Sequence, residues 1–303
     1  MGNTSCDVDS AIGAICLAYY YETKLGQKWT PIINCKAADF FCNLEIVLHL
    51  KNCNIEQSDL VFYDEFRAAV PSADGIVEMA LVDHNILDTN QSDMGSKVTR
   101  VIDHHVDSGA YADQIVEKQC RLIGSACSLV ALMVKEDLAP FAEDFVRVEA
   151  GQPQNMAYLL GAAVVLDSYF FKEELRAKKW TDEDIVASEF LMQYADIGQE
   201  YWAALNHAKF DVQAGLSLGL KGIFRRDYKC YDLDKGLMGV SVSTGGIATL
   251  VNTFSAPELG VESKQFMLDN NLGLFVIIAI EVDDSGNIEK NIMIFDLLDN
   301  PAE

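Results

Sequence analysis

Four apolar stretches of the chain end or begin abruptly at carboxylates and imidazoles. Val98 to Ile102 runs into Asp103-His104-His105, and Met79-Ala80-Leu81-Val82 runs into Asp83-His84-Asn85. Leu159 to Leu166 closes on Asp167, and Gly2-Asn3-Thr4-Ser5-Cys6-Asp7-Val8-Asp9-Ser10 leads into an apolar helix. Apolar strands ending in ligand-type side chains read as buried strands that deliver those groups to the carboxyl edge of a sheet, where open α/β folds place their sites. Residues 10–24 carry Ala11, Ile12, Ala14, Ile15, Ala18 and Tyr19 at helical spacing, with Ser10 as the expected N-cap. Residues 31–35 and 59–63 read as strands with a helix of about 42–53 between them, and strands follow near 79–82 and 99–102. This alternation predicts an α/β fold with a doubly wound, mostly parallel sheet.

Further along, Gly124-Ser125 opens a helix over 126–134, and another spans about 155–167. Thr181-Asp182-Glu183-Asp184 makes a capping-box start for a helix over 182–194. Residues 207–215 have no clean period and read as a linker. Beyond them come a helix (216–227), a strand (238–242), a helix after Gly245-Gly246, and strands over 273–282 and 289–297. The last two are joined by Asp283-Asp284-Ser285-Gly286-Asn287, which has hairpin-turn chemistry. The expectation is therefore a catalytic domain over 1–195 and a second, smaller α+β domain over 212–303.

With 303 residues, half of them hydrophobic, the chain can bury a large core. No run approaches the roughly 18 uncharged residues of a membrane span, so no membrane is expected as a partner. Without a basic n-region and cleavage site, no signal peptide is expected. Eight cysteines without a C-x-x-C pair read as reduced core residues of a cytoplasmic protein. A net charge of −23 argues against nucleic acid as a partner. A phosphate substrate would need a local basic cluster, and Lys221, Arg225, Arg226 and Lys229 provide one.

Asp7 and Asp9, two apart on a loop, can each serve a different cation. Asp83 and His104 come from neighbouring strand ends, and Asp167 from a helix. Carboxylates with an imidazole suit Mg²⁺ or Mn²⁺. Two such ions about 3.5–4 Å apart hydrolyse phosphoryl groups. Singly, paired Asp residues are usually caps or Asx-turns, and adjacent histidines are usually surface or core pairs. Four ligand-bearing ends in compatible order point instead to one metal site.

Gly2-Asn3-x-x-Cys6-Asp7-x-Asp9-Ser10, Leu81-Val82-Asp83-His84-Asn85, Val101-Ile102-Asp103-His104-His105, Gly124-Ser125-Ala126-Cys127-Ser128-Leu129-Val130, Leu160-Gly161-Ala162 through Asp167, and Arg225-Arg226-Asp227-Tyr228-Lys229 stand in one order. Together they resemble the DHH phosphoesterase superfamily, in its exopolyphosphatase and prune-type branch, related to the family II inorganic pyrophosphatases. The resemblance implies two divalent cations. One would be held by Asp7 and Asp83 near Asn3, the other by Asp9, Asp83, His104 and Asp167, with Asp83 bridging. It also implies that His105 faces the scissile phosphate, that Asp103 orients a histidine, and that Arg226 and Lys229 contact substrate across an interdomain cleft, with Lys290 or Ser263 and Lys264 as further candidates.

The activity implied is hydrolysis of phosphorus anhydrides: an exopolyphosphatase releasing orthophosphate from polyphosphate ends, with pyrophosphatase or prune-like phosphodiesterase action as alternatives. A catalytically weak interaction protein is the rival from another class. Asn3 stands where the pyrophosphatases carry histidine, and the intact His104-His105 pair differs from the prune subgroup, which replaces the second histidine. The family pattern opens on an apolar strand before Gly-Asn, where this chain has only Met1. Asn3, Asp7 and Asp9 are thus expected on an unanchored, mobile terminus. No oligomeric state follows from the sequence.

Exchanging an imidazole for an amide at position 3 hardens the site, so Mg²⁺ should be preferred over Mn²⁺. Initial rates of phosphate release with each ion should show the Mg²⁺ form to be at least as active; a far more active Mn²⁺ form contradicts this.

Overall fold

Parallel strand pairing organises the first part of the chain. β1 (Ile32–Ile33) pairs with β2 (Val61–Phe62), and β3 (Met79–Val82), β4 (Val98–Asp103) and β5 (Glu117–Cys120) form a second parallel group in that order. These relationships come from a computed structural model describing residues 1–143, 145–147, 155–234, 236–282 and 288–297. The chain divides into two units, Met1–Ala38 with Leu44–Asn206, and Asp39–Asn43 with His207–Glu303. Helices α1 (Val8–Leu25), α2 (Leu44–Asn52), α3 (Tyr63–Ala69), α4 (Ala126–Glu136), α5 (Met156–Asp167) and α6 (Asp182–Leu191) belong to the first, and the division falls inside α7 (Gln199–Phe210).

Every residue of α5 from Met156 to Leu166 is buried, as a helix apolar on all sides requires. It packs against α1, α2, α4 and α6, with Asn155 capping its start and Asp167 as its last residue. A second core lies around the strands, where Leu81, Met94, Val98 and Val101 meet Met1 and Ile32.

Met1 corrects the expectation of a loose terminus. The Val82 N–H donates to its carbonyl (3.1 Å), its amine donates to the Ala80 carbonyl (2.7 Å), and the Gly2 N–H donates to the Ile32 carbonyl (3.4 Å). Two residues of backbone therefore link the β1 and β3 edges where a whole strand was expected. Asn34 Nδ2 donates to the Gly2 carbonyl (2.8 Å) and is itself held by Gln91 (2.7 Å). Met1 is 8% exposed, and burial lowers its amine to about 5.

The second unit contains α8 (Val212–Ser217), α9 (Gly219–Arg225), β6 (Lys229–Leu233), β7 (Gly236–Thr244), α10 (Ile247–Phe254), α11 (Ala256–Asp269), β8 (Leu272–Val282) and β9 (Ile288–Asp296). Its sheet order is β6-β7-β8-β9, with β7 and β8 parallel and the outer pairs antiparallel. Phe224, Leu250, Leu259 and Phe266 from the helices pack on Phe275, Ile277 and Ala279 of β8. A mixed α/β chain with parallel strands and a further α+β unit is thus found as expected.

Several local expectations need correction. Asp7, not Ser10, caps α1, accepting the Ser10 N–H at 3.1 Å. Residues 207–210 end α7 and 212–215 lie in α8, with only Asp211 between them, capping α8 through the Ala214 N–H (2.9 Å), so the expected linker is not found. The helix expected over 216–227 breaks before Gly219, whose φ is 68°. Helix α11 was not anticipated, although Ser255 caps it and a proline lies in its first turn. The Asp283–Asn287 turn lies outside the described residues.

Buried His49 of α2 makes a titration test of the first unit. Its Nδ1 faces the Tyr201 hydroxyl (2.8 Å) and its Nε2 the Leu159 carbonyl (3.2 Å), and burial lowers it to about 4. A histidine depressed below 6.5 leaves the folded state with fewer bound protons than the unfolded state, so stability falls as pH drops through this window. The stability advantage of wild type over His49→Gln should shrink by up to roughly 3 kcal/mol between pH 7 and pH 4 in denaturant titrations. A pH-independent difference would show that His49 is not held neutral.

Candidate metal centre

Asp83 follows β3 directly, in the left-handed region at φ 63°. Aspartate tolerates this conformation better than most residues, and such backbone is typical of functional sites. Asp83 is 2% exposed. Asn3 Nδ2 donates to its carboxylate (2.6 Å) and to its carbonyl (3.1 Å). The Asn3 side-chain oxygen accepts the Ser5 N–H (3.0 Å), the Ser5 hydroxyl (2.7 Å) and the Cys6 N–H (3.2 Å). The Ser5 N–H has that oxygen as its acceptor, which sets the amide orientation, while the Cys6 N–H also reaches the Asn3 backbone carbonyl (3.3 Å). Asn3 therefore holds Asp83 and keeps its own oxygen in the loop.

His104 follows β4, beside β3. Its Nδ1 faces the Ile123 carbonyl (3.0 Å) and donates to it, which leaves Nε2 towards Asp83 Oδ1 (3.1 Å) and Asp9 Oδ2 (3.6 Å). A carbonyl on the rear nitrogen is how ligand histidines are ordinarily oriented. Asp9, in the first turn of α1, is 2% exposed. It accepts the Ser125 hydroxyl, the Ala126 N–H (2.8 Å) and the Cys127 N–H (2.8 Å) at the start of α4. The positive end of that helix thus rests on the Asp9 carboxylate.

His105 extends outward from the same strand end, its side chain 49% exposed. Its Nδ1 donates to Asp103 Oδ1 (2.8 Å) and lies 3.7 Å from Asp83 Oδ1. Asp103 is fully buried, and its other oxygen accepts from Asn85 Nδ2. Asn85 also bonds the Val106 carbonyl (3.1 Å) and the Ser108 N–H (2.9 Å), so one amide secures both Asp103 and the turn after His105. The tie between Asp103 and His105 lowers the Asp103 carboxyl despite its burial.

The electrostatics show how closely these groups converge. Burial first, then the charges of Asp7 and Asp9, push Asp83 well above the carboxylate range. Burial opposes charge on His104, but the Asp83 hydrogen bond and the charges of Asp9, Asp83 and Asp167 raise it to about 11. Both shifts have the same origin, the closeness of Asp83 and His104 among further carboxylates. A divalent cation held by these residues would compensate that charge in place of protons. Ligand atoms of Asp83, His104 and His105 all lie within 4.8 Å of one another. The residues present therefore fit a hard divalent cation.

The expected residues fall into two sets. Asp9, Asp83 and His104 meet directly, with Asp7 and Asp167 close enough for their charges to act on them. Arg226 and Lys229 lie in the second unit. Arg226 is 7% exposed, facing the Thr244 hydroxyl (3.4 Å) and the Lys209 carbonyl. Arg225 is taken up by Asp39 (3.4 Å), Asn270 (3.0 Å) and the Phe266 ring, and Ser263 is fully buried. Sequence reasoning gave no role to Asn85, although it stands in the same motif as Asp83, nor to Ser125 as a partner of Asp9.

Fold and site together define an α/β protein with a carboxylate–histidine cluster at the carboxyl edge of parallel strands. A family model described as the DHH family, N-terminal domain, matches residues 1–164, and the chain belongs to this family. Its sequence similarity lies with prune-type exopolyphosphatases. It is 27% identical to Exopolyphosphatase PRUNE1 of Homo sapiens over 241 residues, 76% of this chain and 48% of that protein. With Exopolyphosphatase PRUNE1 of Rattus norvegicus it shares 26% identity over 237 residues, again 76% and 48%. The chain thus spans about half the length of these curated relatives. A crystal structure of a Methanococcus jannaschii protein assigned to the family II inorganic pyrophosphatases superposes with a TM-score of 0.66, at 19% identity, over 97% of this chain and 86% of that one. Among the described residues no helix is long and apolar enough to cross a membrane.

Saturating Mg²⁺ or Mn²⁺ should raise the melting temperature by several degrees, since a ligand at 100 times its Kd adds about 2.7 kcal/mol. Asp83→Ala should lose that shift. If the two proteins melt alike with metal present, the cluster does not bind cations.

Proposed function

We propose that the chain is a metal-dependent phosphoanhydride hydrolase that releases orthophosphate from polyphosphate ends. The observation that carries this reading is the convergence of Asp83 and Asp9 on His104 Nε2, with the rear nitrogen of the ring fixed by a backbone carbonyl. The names of the curated relatives support the substrate class.

In this reading Asp7, Asp9, Asp83, His104 and Asp167 would hold two divalent cations, and Asn3 orients Asp83. When bound, the cations would supply Lewis-acid stabilisation of phosphoryl charge and a more acidic water. Asp103 orients His105 through Nδ1, leaving Nε2 as the atom that meets a phosphoryl oxygen and holds or donates a proton there. Its half-exposed ring can reach an arriving substrate. Arg226 and Lys229 are the proposed phosphate-binding groups of the second unit. The carbonyl and hydroxyl facing Arg226 fix the direction of its guanidinium.

Phosphate release from long-chain polyphosphate, tripolyphosphate, pyrophosphate and a cyclic nucleotide tests the proposal. Wild type should turn over polyphosphate fastest, and His105→Ala should lose on the order of 10²-fold or more in kcat, the usual scale of a positioned proton donor. Pyrophosphate or the cyclic nucleotide as the preferred substrate would transfer the assignment to that activity. No turnover by folded, metal-binding protein would favour an interaction role.

A further inference from the structure

Two cysteines meet beside the loop that carries Asn3, Asp7 and Asp9. The Cys6 thiol hydrogen-bonds the Cys35 sulfur from a separate segment of the chain. Backbone contacts bring the two segments together. The Gly2 N–H donates to the Ile32 carbonyl (3.4 Å) and Asn34 Nδ2 to the Gly2 carbonyl (2.8 Å), so the opening residues run along the end of β1. Both cysteines are free thiols, Cys6 buried and Cys35 half-buried. Cys16 and Cys53 are also neighbours, but both are buried, whereas Cys35 offers an oxidant a way in.

The two sides of the contact differ in stiffness. The Cys35 N–H donates to the Ile33 carbonyl (2.9 Å) and its carbonyl accepts the Tyr63 N–H (3.1 Å), which fixes it at the end of the β1–β2 pair. Cys6 lies in a loop, in left-handed backbone at φ 50°, with its N–H on two oxygens of Asn3 (3.2 and 3.3 Å). Asp7 follows directly and caps α1, and Asp9 lies in the first turn of that helix. A covalent bond draws two sulfurs closer than a hydrogen bond leaves them, and here the loop must give way before the strand does. The residues displaced with Cys6 are Asn3, which holds Asp83, and Asp7.

We propose that Cys6 and Cys35 are a redox pair, joined by hydrogen peroxide into a disulfide that disables the neighbouring metal centre. The disabling effect rests on the metal-binding reading given above. The Cys35 sulfur attacks one peroxide oxygen, the O–O bond breaks, and a sulfenic acid and water result. The Cys6 sulfur then attacks the Cys35 sulfur. The S–S bond forms as the S–O bond breaks, and the hydroxyl leaves as water with the Cys6 proton. Two thiols are oxidised by two electrons and one peroxide is reduced to two waters. A thiol reductant reverses the bond.

Reduced, metal-free full chain is treated with hydrogen peroxide, alkylated and digested with trypsin without reductant. Mass spectrometry should find residues 1–24 joined to 29–36, two hydrogens lighter than their sum, with fragmentation placing the bond on Cys6 and not Cys16. The oxidised protein should lose the melting shift given by Mg²⁺. Its phosphate release should fall on the order of 10²-fold, the usual scale for a displacement of about 1 Å at a site. Dithiothreitol should restore both, and Cys35→Ser should keep both through the same treatment. Absence of the linked peptides overturns the inference. So does a linkage that leaves metal shift and turnover intact, or a Cys35→Ser protein that loses them as fast as wild type. Reduced wild type with no metal shift at all overturns the metal reading and the disabling effect with it, while the peptide map still decides the bond.

Discussion

Like charge held together out of water is the constraint on which the first unit depends. Asp83 and Asp9 are almost wholly buried, Asp7 and Asp167 act on the same cluster, and one imidazole stands among them. Such an arrangement is costly unless each group is fixed and compensated. The surrounding structure supplies the compensation piece by piece. The start of α4 donates to Asp9, the Asn3 amide to Asp83, and His104 is anchored at its rear on Ile123. Cys6 and Asp83 also take left-handed backbone, at φ 50° and 63°, a strain the neighbouring contacts must hold in place.

This explains which parts could be read from the sequence. The strand ends carrying Asp83 and His104 were legible because a buried parallel strand is a continuous apolar run, and its polar end stands out. The helix over α5 was legible for a related reason, since the Asn155 cap and an unbroken apolar run agree. What escaped was long-range satisfaction of polar groups. The Ser125–Asp9 contact joins positions 116 apart, and no local pattern announces it. Asn85 is four residues beyond β3's Leu81, yet its partners Asp103, Val106 and Ser108 lie on another segment.

The opening residues taught a related lesson. A family pattern measured in whole strands made the residues before Asn3 look unanchored. In the structure two peptide units carry the hydrogen bonds that matter, and Asn34 with Gln91 secures Gly2 from the side. Continuity of a sheet is a matter of particular donors and acceptors. Similarly, α8 and α11 depend on single capping side chains, Asp211 and Ser255, which periodicity alone does not weigh.

Asp9 carries a consequence for how lineages of this fold are interpreted. Its two oxygens close the first turn of α4, a helix in which every residue from Ala126 to Val134 except Leu132 is buried. A descendant that abandoned catalysis would still need that carboxylate to keep its core, so purifying selection on Asp9 persists after selection on activity has ceased. Finding it in a relative is a statement about ancestry and architecture.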